Sequence, residues 1–127
     1  MSNVVLDSSA VLALLGREPG AEVVQPLLGR IVICAVNLAE IQGKLVRRGI
    51  EKTAASLAIV GVVSNVVDFD HQRALLTGSL INETRALGLS LGDRACLALG
   101  ILLNVPIYTA DRAWTGLKLG IEVRAIR

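Results

Sequence analysis

The sequence predicts an α/β domain built around a mainly parallel sheet. Three observations carry this. Short β-rich apolar runs recur along the chain, at Val4–Leu6, Ile31–Cys34 and residues 105–108. Each is followed by a stretch with the apolar spacing of a helix. The runs are continuously apolar rather than alternating, the pattern of strands buried on both faces beneath helical layers.

Taken in order, Val4–Leu6 reads as a buried strand ending at Asp7. Residues 8–15 follow as a helix, punctuated by Gly16 and then Pro19-Gly20. Residues 21–28 form a helix weakened by Pro26. Ile31–Cys34 is the second strand, and residues 36–48 are a helix stopped by Gly49. Residues 53–63 make another helix and 66–68 a short strand. Asp70 caps a long helix over 71–87, with Leu76, Leu80 and Leu87 on one face. Ser90 opens a nearly all-apolar helix to Leu103. Residues 105–108 are a strand, 112–117 a short helix and 122–126 the last strand. No linker, low-complexity segment or internal repeat interrupts the series, so residues 1–127 read as one domain of ordinary size.

Hydrophobic residues make up 53% of the chain and mean hydropathy is +0.61, high for a small soluble monomer. No apolar run approaches the roughly 18 residues of a membrane helix. The first six residues lack the basic region of a signal peptide, and Asp7 interrupts any apolar core there. The expectation is a cytoplasmic protein, without a membrane partner, whose excess apolar surface lies in a subunit or partner interface. Cys34 and Cys96 lack metal-ligand spacing and read as buried thiols. A single histidine excludes a histidine-rich zinc site.

An ionised Asp7 at the end of a buried strand is costly unless compensated. In parallel sheets ligands bind at the carboxyl ends of strands. Asp7 and Asp111 fall at such ends, and Glu40 and Asp93 fall near helix starts at the same edge. Singly, each has an ordinary explanation. Asp7 and Asp111 can cap helices, Ser90 and Asp93 have capping-box spacing, and Glu40 with Lys44 is an i,i+4 pair. Together they would repel, by about 4 kcal/mol per pair at about 4 Å and an effective dielectric near 20. A divalent cation removes that cost, and an all-oxygen site favours Mg²⁺ or Mn²⁺ over zinc. Such an ion can activate water against a phosphodiester. Capping and metal binding are compatible, because a carboxylate has two oxygens.

Ser9 and Thr109 each lie two residues from an acid and can orient a carboxylate or cap a helix. Glu40, Lys44, Arg47 and Arg48 share one helix face, either a solvated charged surface or a phosphate track leaving the acidic site. Net charge is only +2, from 13 basic and 11 acidic residues. With four acids gathered in one pocket, the remainder is 13 against 7 and distinctly basic. Arg94 and Arg112 each follow an acid directly and can serve acids, phosphate or solvent. Phe69, Tyr108 and Trp114 are the only aromatics, too few for a base-stacking platform.

Four segments carry a resemblance: Val4-Val5-Leu6-Asp7-Ser8-Ser9-Ala10, Ala35-Val36-Asn37-Leu38-Ala39-Glu40, Leu89-Ser90-Leu91-Gly92-Asp93-Arg94, and Thr109-Ala110-Asp111-Arg112 with Trp114. They resemble the PIN-domain ribonucleases, and more narrowly the VapC-type toxins of bacterial toxin–antitoxin pairs. The resemblance runs nearly end to end, although residues 50–77 match only in helical character. It implies a small three-layer α/β/α sandwich around a mainly parallel sheet. It implies an acidic pocket of Asp7, Glu40, Asp93 and Asp111 holding Mg²⁺ or Mn²⁺, with Ser9 and Thr109 beside it. The implied activity is endonucleolytic cleavage of structured RNA of the tRNA or rRNA class, halting translation. Lys44, Arg47, Arg48 and Arg112 would hold the RNA backbone. A homodimer and a small antitoxin that obstructs the pocket are implied as well. Two other readings of the residues stay open: a non-catalytic protein-binding module, and a phosphohydrolase working through an aspartyl-phosphate on Asp7.

Overall fold

The computed structural model describes residues 2–127. Five strands form one sheet in the order β3-β2-β1-β4-β5, all parallel. They are β1 (Val4–Leu6), β2 (Ile31–Cys34), β3 (Asn65–Val67), β4 (Ile107–Thr109) and β5 (Val123–Ala125). Six α-helices connect them: α1 (Ser8–Gly16), α2 (Ala21–Val24), α3 (Ala35–Arg47), α4 (Lys52–Val60), α5 (His71–Ser79) and α6 (Leu91–Leu103).

Strand periodicity sorts the core into two layers. Val4, Leu6, Ile31 and Ile33 face α1 to α4, while Val5, Val32, Cys34 and Ile107 face α6, Leu80 and Trp114. Both sets are fully or nearly fully buried, which is why these strands read as unbroken apolar runs rather than alternating ones. Because parallel crossovers are right-handed, the step from β1 through β2 to β3 puts helices on one face. The return from β3 to β4 puts α5 and α6 on the other. The expected α/β/α sandwich is therefore present.

The helix expected over 53–63 ends at Val60, the strand expected over 105–108 runs Ile107–Thr109, the short helix expected over 112–117 is a 3₁₀ turn, and the largest departure follows α5. The helix expected over 71–87 ends at Ser79, and a separate 3₁₀ turn covers Arg85–Leu87. The Thr77 and Ser79 hydroxyls donate to the carbonyls of Arg73 and Leu75, four residues back, at 2.7 and 2.8 Å. Such back-bonding weakens a helix, and Gly78 between them adds backbone freedom. Leu80 still reaches the core, but Leu87 lies at the surface. Pro26 acts as expected: α2 gives way to a 3₁₀ turn over Gln25–Leu27.

Candidate functional site

Chain order reverses between β1 and β4, since β1 leads outward to β2 and β3, and β4 leads the other way to β5. In open parallel sheets the crevice at such a switch point is the usual ligand site. Asp7 stands there, extended (φ −80°, ψ 175°), with Oδ1 accepting the Ala10 N–H at 2.9 Å as N-cap of α1. The Ser9 hydroxyl donates to the same oxygen at 2.6 Å, and the Thr109 hydroxyl donates to Oδ2 at 2.7 Å. Each hydroxyl also accepts a backbone N–H at 3.0 Å, Ser9 from Ala110 and Thr109 from Asp111. Ser9 and Thr109 thus tie the end of β1 to the loop after β4, with Asp7 as the knot.

That knot does not neutralise Asp7, which is only 5% exposed. Burial pushes its carboxyl above the usual range, and three hydrogen bonds pull it back only in part. The charge of Asp93 adds a smaller upward push. The ion pairs of the described residues are Arg48–Glu18, Arg73–Asp70, Arg124–Glu122 and Arg127–Glu18, so none of the four candidate acids has a cationic partner.

Asp93 and Asp111 join Asp7 around one open cavity of about 550 Å³, together with Ser9, Arg112 and Arg127. Asp93 completes a capping box at the head of α6: its Oδ2 accepts the Ser90 N–H at 3.1 Å while Ser90 Oγ accepts the Asp93 N–H at 3.2 Å. Asp111 Oδ1 caps the 3₁₀ turn Arg112–Gly116 through the Ala113 N–H at 3.0 Å. Asp93 Oδ1 and Asp111 Oδ2 receive no donor from the described residues. The ordinary capping roles and an acidic cavity coexist, one oxygen serving each.

Glu40 sits apart. It lines a separate hollow of about 300 Å³ with Lys44 and Arg47 and forms no ion pair with Lys44. Its Oε1 accepts the Ser8 hydroxyl at 2.8 Å and the Asn37 amide at 3.0 Å. Arg48 lies one residue beyond α3, 3.9 Å from Glu18, and does not line the hollow. Arg94 turns away from the acids and donates to the Thr77 carbonyl at 3.0 Å, a staple between α6 and α5.

A model of the PIN domain family matches residues 4–118. The chain belongs to the PIN domain family. No curated protein matches its sequence. Among solved structures, this PIN domain resembles a toxin–antitoxin complex from Klebsiella pneumoniae, with 16% identity, 98% of each chain covered and TM-score 0.78. It also resembles DNA-bound VapBC from Salmonella typhimurium, with 17% identity over 100% of both chains and TM-score 0.73. VapBC-1 from nontypeable Haemophilus influenzae matches at 20% identity, 97% of each chain and TM-score 0.70. At these identities the structural matches speak to the fold.

The donor set of the PIN domain suits a hard cation: carboxylate oxygens, two without protein donors, beside a buried carboxylate without a counter-charge. Among the described residues, no three Asp, Glu, His or Cys side chains stand close enough to cage an ion on their own. A donor set of carboxylate oxygens without histidine or cysteine is the chemistry of a hard cation such as Mg²⁺ rather than of zinc. No lysine lines the cavity, and Asp7 is tied by three donors, both of which count against Asp7 as a phosphorylated nucleophile. Sequence reasoning passed over Asn37, Gly92 and Arg127. Helical spacing carried a signal for one of them, since Asn37 is one turn before Glu40 on α3. The position of Arg127 in the cavity wall depends on β5 and has no local signature.

Proposed function

We propose that this chain is a metal-dependent endoribonuclease, the VapC-type toxin of a toxin–antitoxin pair. The observation that carries the reading is the cavity at the switch point, where Asp7, Asp93 and Asp111 face one opening without a basic partner while two arginines line its wall. One or two of Asp7, Asp93 and Asp111 would hold a hydrated Mg²⁺ or Mn²⁺ there directly and the rest would reach it through its waters, with Glu40 acting from its own hollow. The ion, when bound, supplies water activation and charge neutralisation at a phosphodiester. Arg112 places guanidinium donors against a phosphate, for which its planar fork is suited, while Arg127, held by Glu18 and the Pro19 carbonyl, adds positive charge to the wall. Lys44 and Arg47 extend positive charge past Glu40 along an RNA backbone. Ser9 and Thr109 orient Asp7 and favour its ionised form against the opposing push of burial.

A cognate antitoxin and a second copy of the chain are the proposed protein partners. Exposed apolar side chains support this: Leu57 and Val60 on α4 are 66% and 73% exposed, and Leu75 on α5 is 61% exposed. No helix of the described residues is long and apolar enough to cross a membrane. The capping roles of Asp7, Asp93 and Asp111 are what a non-catalytic binding module would also need, so activity must be measured. Purified protein incubated with total RNA in Mg²⁺ or Mn²⁺ should yield discrete new ends, mapped by sequencing. EDTA and Asp93→Asn should each remove them. Cleavage that persists in EDTA, or an Asp93→Asn variant as active as wild type, would refute the assignment.

A further inference from the structure

We propose that Asn37 and Gly92 are positioning residues that form, with Ser8, a cradle fixing the carboxylate of Glu40. Its functional meaning rests on the nuclease reading above; the cradle itself is testable without it.

Three elements meet at Glu40. Ser8 opens α1, Asn37 lies one turn before Glu40 on α3, and Gly92 is the second residue of α6. Asn37 is 1% exposed, and its amide nitrogen donates to Glu40 Oε1 at 3.0 Å and to the Gly92 carbonyl at 3.1 Å, with Ser8 Oγ at 3.5 Å. Two of these partners can only accept, which decides which end of the amide faces them. Asn37 Oδ1 is left buried without a partner. A buried acceptor without a donor lowers stability, so an apolar side chain would serve packing better. Asparagine at this position is explained by what its nitrogen does for Glu40.

Gly92 gives the independent observation. It lies in a regular α-helix with ordinary φ, so its backbone does not require glycine. A Cβ there would stand on the Glu40 carboxylate, 2.5 Å from Cδ and Oε1 and closer still to Oε2. The three atoms nearest that Cβ all belong to Glu40. Glycine is required only because the carboxylate occupies the space a methyl group would fill. Gly92→Ala therefore evicts the end of one flexible side chain and leaves the core alone.

The experiment is a double-mutant cycle on Gly92→Ala and Glu40→Ala, read by calorimetric melting and by Mn²⁺ affinity from titration calorimetry, alongside cleavage kinetics. Gly92→Ala should lower Mn²⁺ affinity or kcat by about 10-fold to 100-fold, the size typical of residues that orient a ligand. KM for RNA should not change, and the fold should remain intact. In the Glu40→Ala background the same substitution should cost no further Mn²⁺ affinity and raise Tm by about 3–4 °C, since alanine is the better helix former. Asn37→Ala should lower Mn²⁺ affinity with the same dependence on Glu40. Equal effects of Gly92→Ala on Tm in both backgrounds would overturn the cradle, and in a chain that cleaves RNA, wild-type kcat and Mn²⁺ affinity in Gly92→Ala would overturn its positioning role. A wild-type chain that cleaves no RNA would refute the nuclease reading alone, because coupled melting temperatures would still establish the cradle and additive ones would still overturn it.

Discussion

Asp7→Asn should make the metal-free protein more stable while removing its activity. Asparagine caps a helix as well as aspartate does, and its carbonyl oxygen can still accept from the Ala10 N–H and the Ser9 hydroxyl. Its amide can donate to Thr109 Oγ1 in place of the bond now made to Oδ2. What changes is the charge. Burying a carboxylate costs several kcal/mol after relaxation. Each of three hydrogen bonds recovers about 1 kcal/mol more for an ion than for a neutral group. The remainder, about 1–2 kcal/mol, should appear as a rise in Tm of about 4–8 °C at pH 7 in EDTA. The pH dependence follows from the upward shift of Asp7. Stability linked to its protonated form is present at low pH and lost as pH rises through the folded pKa. The gap between variant and wild type should be full at pH 7 and close as pH falls toward the ordinary carboxylate range. Millimolar Mg²⁺ or Mn²⁺ should raise the wild-type Tm and leave Asp7→Asn unmoved, narrowing or reversing the gap. Differential scanning calorimetry across pH, with and without metal, measures all of this. An Asp7→Asn protein that melts below wild type in EDTA would show that the fold already compensates the carboxylate, and the case for a cation there would lose its physical basis.

Replacing Lys44 and Arg47 by alanine should weaken RNA binding and reduce the slope of log K against log salt by about 1–2, as expected for two lost phosphate contacts; an unchanged slope in filter binding would place the RNA elsewhere. Gly100→Ala should destabilise by about 1–3 kcal/mol by urea denaturation, because its Cβ would collide with Cγ1 and Cδ1 of Ile107 on β4. Cys34 and Cys96 are both buried, and burial raises both thiols. They should resist thiol reagents in the folded protein and react only on unfolding, so rapid labelling of native protein would contradict the packing.

The order of the central strands β1, β2 and β4 was legible in the sequence because parallel strands buried on both faces leave unbroken apolar runs; the edge strands β3 and β5 are only partly buried and gave a weaker signal. The capping residues Asp7, Asp70, Ser90 and Asp111 were legible for a similar reason: a cap acts on backbone within three residues of itself. The broken helix after Ser79 was less so. Its cause is local, but a leucine stripe at helical spacing masked three weakening residues in a row.

The candidate site divides along the same line. The residue types, their order and their place at strand ends and helix starts were all determined by the sequence alone, since each depends on neighbours a few positions away. Which acids share a cavity was decided only by the tertiary structure. Strand order places Asp7 beside Thr109, 102 residues away, and the packing of α6 against the sheet brings Asp93 to the same opening. The same packing sets Glu40 in a hollow of its own, over a glycine whose necessity no local pattern reveals. Contacts between distant elements are chosen by how two faces fill space together, and a one-dimensional pattern records each face without recording its partner.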